Sequence, residues 1–339
     1  MTTAFVDYLN LLIAGQDLTQ IQAGDLLDKV FSGDMPEAQI AAFLTAMRIK
    51  GPTPEEIAGL AGSLRSHAVK VTPKSDNLID TCGTGGGSIK TCNVSTASAI
   101  VAAGAGAHVA KHGNRGITSG CGSADVLEAL GVKIDASPET IAQCIDQAGV
   151  GFMFAPMFHP AMKYVQPIRK TLGFRTVFNI LGPLANPANA QAQILGVADE
   201  TLMETMIRSL KLLGSTTAMV VHSNGLDEIS TLGPTRVMTL RNDQVTELMI
   251  SPKVLGMTLA TQEDLSATDA PSNARALLAI FKGQDKGPKY DIITLNASAA
   301  IFIAGLADTL EEALTKAKAS IDDGKALQAL NQLIELSNQ

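Results

Sequence analysis

Tryptophan is missing altogether, and three tyrosines with ten phenylalanines bring aromatics to only 4% of the 339 residues. Positive charge is also short: 26 Lys and Arg against 33 Asp and Glu leave a net charge of -7. A nucleic-acid surface ordinarily needs a basic footprint and stacking rings, so no nucleic-acid partner is expected, although a local basic site survives such a global argument. Long hydrophobic runs are absent too. The longest small-apolar stretch, 95–110, is interrupted by Thr96, Ser98 and His108 and falls short of the roughly 20 residues that span a bilayer. The opening MTTAFVDYLN has no basic region ahead of an apolar stretch, so it does not read as a secretory signal, and a cytoplasmic protein with no membrane segment is expected. Cys82, Cys92, Cys121 and Cys144 include no C-x-x-C pair, which argues against a zinc site or a disulfide framework and for reduced thiols that fill space.

What is present is apolar: 46% hydrophobic against 17% charged residues, enough for real cores in about two domains at this length. Residues 1 to about 70 read as successive helices. Thr53-Pro54-Glu55-Glu56 places a capping residue, a first-turn proline and a glutamate three after the cap. From Asn77 the pattern changes to short apolar runs, glycine turns and helices: NLID, AHVAK, VGFMFAP, QILGV and TAMVVHS each lead into a turn. That alternation predicts an α/β fold with a central, largely parallel sheet flanked by helices, with ligands gathered at the strands' carboxyl ends. RVMTL and QVTELMI around RND predict a hairpin, and the tail from about Asn296 returns to helices, with Asp308 and Glu311 expected as a capping box.

Four segments carry polar chemistry. In DTCGTGGGSIKTCNVST, residues 80–96, an apolar strand leads into four glycines within 83–87 and a helix start leads out. A flexible linker would have Gly/Ser-rich polymer on both sides, whereas strand, glycine turn and helix set backbone amides around an anion. The loop is neither a dinucleotide fingerprint nor a Walker loop, since Ser88 stands where the third glycine would be and no Gly-Lys-Ser/Thr closes it. In AKHGNRGITSGCGSADVLEALG, residues 110–131, Lys111, His112 and Arg115 are expected in one strand-to-helix loop, an anion site, with Ser123 as N-cap of the next helix and Asp125 in its first turn. In PIRKTLGFRTVFNILGPLANP, residues 167–187, Arg169, Lys170 and Arg175 could grip a carboxylate or line solvated helix faces, and spacing does not decide. In VVHSNGLDEIS, residues 220–230, the adjacent Asp227 and Glu228 are hard oxygen ligands suited to Mg²⁺ beside phosphates. Together they suggest Mg²⁺-dependent chemistry on a phosphorylated donor, with an anionic acceptor held separately.

The succession GTGG, TCNVST, KHGNR, GSADVLEALG, FAPMFHPAM, IRKTLGFRTVFNILGPLANP, VVHSNGLDE and LNASAAIFIAG resembles the anthranilate phosphoribosyltransferases along nearly the whole chain. The resemblance implies a small all-helical N-terminal domain, 1–72, joined by helices from about 160–185, and a larger α/β donor-binding domain, 73–339, paired as a homodimer through the helical domain. It implies that the amine of anthranilate displaces pyrophosphate from phosphoribosyl pyrophosphate, a step of tryptophan biosynthesis. By motif match, Gly83, Gly86, Gly87, Thr91, Asn93, Ser95, Thr96, Lys111, Ser119 and Ser123 would meet the donor. Ser95, Asp227 and Glu228 would hold Mg²⁺. Gly83, Asn114 and Arg169 would meet anthranilate, with His112 beside the acceptor route and no obvious nucleophile or strong base, so that catalysis would rest on positioning by His112, Asn114 and Arg169.

The chain departs from the pattern it resembles in two places. Gly87 stands where an aspartate is usual, and Gly120-Cys121 where Lys-Ser is usual. Lys90, three residues after the missing carboxylate, is the candidate to restore a phosphate contact. Two other readings compete: a phosphorylase or transferase of the same fold acting on another aromatic acceptor, and a non-catalytic relative that binds nucleic acid, against which stand the acidic balance and the retained Asp227-Glu228 pair.

Overall fold

The computed structural model describes residues 4–116 and 120–339. Four helices open the chain: α1 (Phe5–Ile13), α2 (Gln20–Phe31), α3 (Glu37–Lys50) and α4 (Pro54–Ser66). The expected capping box starts α4. The Thr53 hydroxyl accepts from the Glu56 amide at 3.2 Å, and the Glu56 carboxylate accepts from the Thr53 amide at 2.8 Å. That carboxylate is fully buried, and it also takes the Leu18 amide at 2.9 Å and the Lys50 ammonium at 2.8 Å. Burial with this set of donors is tolerable because no lone charge is left in the core.

The remainder alternates β1 (Leu78–Gly83), α5 (Val94–Gly104), β2 (His108–Gly113), α6 (Ser123–Ala129), α7 (Pro138–Ala148), β3 (Val150–Phe154), α8 (Ala155–Phe158), α9 (Gln166–Leu172), α10 (Phe178–Leu181), β4 (Ala192–Gly196), α11 (Met203–Leu212) and β5 (Thr217–His222). A hairpin, β6 (Thr235–Arg241) and β7 (Gln244–Ile250), follows, and then helices α12 (Gln262–Leu265), α13 (Ala270–Phe281), α14 (Pro288–Ile303), α15 (Leu310–Asp322) and α16 (Lys325–Ser337). The sheet has seven strands in the order β3-β2-β1-β4-β5-β6-β7, parallel from β3 to β5 and antiparallel beyond. Asn242 and Asp243 at the hairpin tip both have positive φ, 51° and 63°, the conformation that matches a two-residue turn to strand twist.

Alternation along the strands divides two cores. Ile194, Met219 and Val221 join the core built with α5 and α14 to α16, while Leu195, Ala218 and Val220 join one that continues through α11 into α1–α4 and residues 165–185. The parallel part of the sheet is therefore buried on both faces, while β7 at the antiparallel edge is largely exposed.

Two caps fall one residue from expectation. The α15 cap is Thr309, whose side chain accepts from the Glu312 amide at 3.2 Å, with Glu312 rather than Glu311 reaching back, to the Asp308 amide at 3.1 Å. For α6 the cap is Gly122, not Ser123; Asp125 satisfies the Gly122 amide at 2.8 Å, and Ser123 sits inside the first turn. In both, a carboxylate three residues after the cap takes a free amide at the helix start.

Candidate active site

β1 is the point where the sheet's connections change direction, with β2 on one side and β4 on the other, and the crevice beyond such strand ends is where α/β folds bind ligands. β1 and β4 end on a register pair of glycines, Gly83 and Gly196. Asp227 lies directly over them: a Cβ at Gly83 would stand 2.3 Å from Asp227 Oδ2, and one at Gly196 would stand 1.7 Å from the Asp227 carbonyl oxygen. Asp227 Oδ2 accepts the Gly85 amide at 2.9 Å, and Arg175 Nη2 donates to the Gly85 carbonyl at 3.4 Å. Gly85 and Gly86 have φ of 64° and 79°, and a Cβ on Gly86 would meet Arg175 Nη1 at 2.1 Å. The glycine stretch is thus folded against an acid and a base, as a cradle rather than a linker.

The acidic pair is short of positive charge. Burial, and then the like charge of Asp227, push the Glu228 carboxyl up to about 8, against an opposing pull from Lys111. Burial raises Asp227 as well. The Ser95 amide donates to Glu228, and the Lys111 ammonium donates to the Thr81 carbonyl at 2.5 Å and the Ser95 hydroxyl at 3.3 Å. Ser95 is thus a neighbour of Glu228, with Asp227 next along the chain. No three His, Cys, Asp or Glu side chains converge among the described residues. A cation here would have two carboxylates and a hydroxyl and would complete its shell with water and phosphate oxygens, a donor set that fits Mg²⁺.

Lys111 and His112 do not lie in a loop as expected: both belong to β2, paired with Phe152 and Met153 of β3, and both are buried. Arg115, in the loop, is committed to Asp125 at 2.9 Å and Glu128 at 2.8 Å. The basic loop is therefore a strand end carrying one buried ammonium. Asn93 exchanges bonds with Cys121, donating to its carbonyl at 3.2 Å and accepting from its thiol at 3.2 Å. Ser123 donates to the Asn114 carbonyl at 3.2 Å. The Thr96 hydroxyl is buried without a partner among the described residues. Thr91 is half-buried and Lys90 exposed on the run into α5; Gly87 packs so that a Cβ would meet the Gly225 carbonyl at 2.7 Å. Ser119 lies outside the described residues.

Beside the cradle, between the strand ends and residues 155–185, is a cavity of about 480 Å³ that Gly83, His112, Asn114, His159, Arg169 and Phe178 help to line. Arg169 is half-buried over the Phe178 ring at 5.5 Å, its polar contact being Gln166 at 3.4 Å, and no carboxylate pairs with it among the described residues. The rings of His112 and His159 stand 5.0 Å apart. Burial lowers His112 to about 3, with His159 adding to the shift, and lowers His159 to about 4.

Residue patterns did not single out Asp80, Asn186, His159 or a role for Arg175. Asp80 is fully buried behind Lys111; it accepts from Asn186 Nδ2 at 2.8 Å and the His112 amide at 3.3 Å, and Asn186 Nδ2 also reaches the Ala110 carbonyl at 2.8 Å. The available signal was a carboxylate inside the apolar run NLID, which only a buried partner explains.

The α/β domain of a glycosyl transferase family matches residues 75–327, and that family's helical bundle domain matches residues 6–68. An anthranilate phosphoribosyltransferase of Acetivibrio thermocellus is 47% identical over 331 residues, 97% of this chain and 96% of that protein. The crystal structure of anthranilate phosphoribosyltransferase from Thermus thermophilus superimposes with a TM-score of 0.93 at 37% identity, covering 98% of this chain and all of that one. The Saccharomyces cerevisiae enzyme in complex with phosphoribosyl pyrophosphate and Mg gives 0.89 at 29% identity, with 98% of each chain covered. Identity of 47% over nearly the full length of both chains, with both domains matched, places the chain in the anthranilate phosphoribosyltransferase family.

Proposed function

We propose that the chain transfers the phosphoribosyl group of phosphoribosyl pyrophosphate to the amine of anthranilate, releasing pyrophosphate, as a Mg²⁺-dependent step of tryptophan biosynthesis. The observation that carries this reading is the meeting of two complementary sites at the β1/β4 crevice. One is a glycine cradle with a buried acidic pair; the other is an apolar cavity holding an arginine that has no carboxylate partner among the described residues.

The donor's pyrophosphate would lie along the backbone of Gly83, Gly86 and Gly87 toward Thr91, Asn93, Ser95, Thr96, Lys111, Ser119 and Ser123, with Lys90 at the outer end. Ser95, Asp227 and Glu228 would hold Mg²⁺. When bound, the cation neutralises charge that develops on the leaving pyrophosphate. Arg169 would take the anthranilate carboxylate through its planar fork, with Gly83 and Asn114 at the ring. Orientation by these contacts sets the amine in line with the anomeric carbon, where the C–N bond forms as the C–O bond to pyrophosphate breaks. His112 and His159, neutral at pH 7, present lone pairs without repelling an oxocarbenium-like ribose or charging the cavity.

Continuity of the α1–α4 core through residues 165–185 supports a helical unit of 1–72 joined by 160–185, and an α/β unit of 73–339. The exposed Ile13, Ile21 and Ile49 on the helical unit support pairing of two copies through it. No helix among the described residues is long and apolar enough to cross a membrane, and we place the reaction in the cytoplasm. Mixing the protein with phosphoribosyl pyrophosphate, Mg²⁺ and anthranilate should quench anthranilate fluorescence. A folded protein that leaves it unchanged at saturating substrates would overturn the reading.

A further inference from the structure

Residues 227–232 belong to no regular element, yet Ile229, Ser230 and Thr231 are buried. Buried backbone outside a helix or ladder must find partners elsewhere. Ile229, the residue after the acidic pair, finds both of its partners in one side chain. Asn296 Oδ1 accepts the Ile229 amide at 2.9 Å, and Asn296 Nδ2 donates to the Ile229 carbonyl at 2.7 Å and to the Ile292 carbonyl at 2.8 Å. Asn296 stands in the middle of α14, where asparagine is a poor helix former and a buried amide needs satisfied bonds. Here the amide imitates a strand partner for a single residue, and no apolar side chain of its size could do so.

A second observation points to the same turn of α14. One turn before Asn296, the Ile293 carbonyl accepts from the Ser98 hydroxyl at 3.1 Å, and Ser98 lies one turn after Ser95 in α5. Residues one turn apart on α14 thus fix α5, which carries Ser95, and the segment that carries Asp227 and Glu228. On the opposite side, the Asp227 carbonyl rests against Gly196 with no room for a Cβ. The acidic pair is held between a glycine in front and an asparagine behind.

We propose that Asn296 is a positioning residue for the cation site: by clamping both backbone groups of Ile229, it sets where the carboxylates of Asp227 and Glu228 stand relative to Ser95. Touching neither substrate nor reacting atoms, it acts through the acidic pair. The proposal rests on the reading of Ser95, Asp227 and Glu228 as the Mg²⁺ ligands.

The test compares wild type, Asn296→Ala and Asn296→Gln in two binding measurements without turnover. Protein-bound Mn²⁺ is followed by electron paramagnetic resonance in the presence of phosphoribosyl pyrophosphate, and anthranilate binding by fluorescence with no donor. Misplacing ligands through a supporting contact should weaken Mn²⁺ binding by about tenfold or more in Asn296→Ala. Asn296→Gln keeps the amide but moves it by a methylene, and should weaken Mn²⁺ several-fold; it carries the comparison if the alanine variant does not fold. Anthranilate affinity should stay within about twofold, because the acceptor cavity does not involve α14. Unchanged Mn²⁺ binding in a folded variant, or anthranilate affinity falling in parallel with it, overturns the positioning role. Wild type that binds no Mn²⁺ overturns the cation reading and the proposal together, whereas unchanged binding in the variants overturns the proposal alone.

Discussion

Arg169 and Lys111 are cations in one cleft, and their surroundings give them different work. Lys111 is enclosed, with bonds to Thr81 and Ser95 and the buried Asp80 behind it. Arg169 has its guanidinium on an aromatic face and a single long contact to Gln166. A carboxylate ligand would give it the charge-assisted pair it lacks, a contact of about 1.5–3 kcal/mol. Arg169→Ala should therefore raise the KM for anthranilate by about 10–100-fold, with the KM for phosphoribosyl pyrophosphate within about twofold of wild type. Arg169→Lys should recover little, because an ammonium cannot reproduce the fork. Steady-state kinetics with each substrate varied in turn checks both statements, and an equal rise in the two KM values would contradict them. Gly87 and Gly120, the two glycines that replace larger residues of the pattern this chain resembles, have a structural counterpart. A Cβ would stand 2.7 Å from the Gly225 carbonyl at the first and 2.8 Å from the Thr268 carbonyl at the second. Backbone has to move to admit either methyl, so Gly87→Ala and Gly120→Ala should each destabilise the fold by about 1–3 kcal/mol, read as a lowered urea midpoint at unchanged slope. A midpoint equal to wild type would mean that the neighbouring loops yield freely.

Among the elements, the strand ends do most to build the cleft, and they were also read least completely from sequence. NLID, the glycine turn and the helix after it were legible because apolar run, turn and helix start alternate there. KHGNR was not: its polar side chains suggested a loop, but register with β3 carries β2 through Lys111 and His112. Pairing partners far along the chain decided the matter, and local pattern contains no trace of them. Asp80 and Asn186 were hidden for the same reason. A carboxylate in a strand and an asparagine before a proline acquire meaning only when the fold brings them within 2.8 Å. Among the described residues Asn186 then supplies the side-chain amide donor to Asp80 Oδ2, while also serving the Ala110 carbonyl. Removing it in Asn186→Ala would leave a buried carboxylate and a buried carbonyl short of donors, at a cost of about 2–4 kcal/mol. Chemical denaturation should report that loss; a change below about 0.5 kcal/mol would show that water or another donor substitutes.

On the scale of the whole molecule, the cavity beside the glycine cradle exists because α1–α4 and residues 165–185 share one core that packs on one face of the sheet. Sequence made each unit legible but not the space between them, where His159 comes to stand beside His112. Two buried neutral histidines tie this packing to pH. Their values in the fold, about 3 and 4, lie below the ordinary 6.5, so between those limits the unfolded chain binds more protons and stability falls as pH falls. At pH 5 each histidine costs on the order of 2 kcal/mol relative to pH 7. Glu228 works in the opposite direction: raised to about 8, it takes up a proton in the fold first, and acid favours the native state through that group. The net slope of wild type mixes these contributions, so the difference between two proteins is the clean measurement. His159→Gln removes one acid-sensitive group and leaves Glu228 in place. Urea midpoints at pH 7, 6 and 5, without ligands, should therefore show the variant losing less stability than wild type on acidification, by about 2 kcal/mol over the range. Parallel losses in the two proteins would mean that His159 titrates in the fold as it does in the unfolded chain, and that the cavity is wetter than its apolar walls imply.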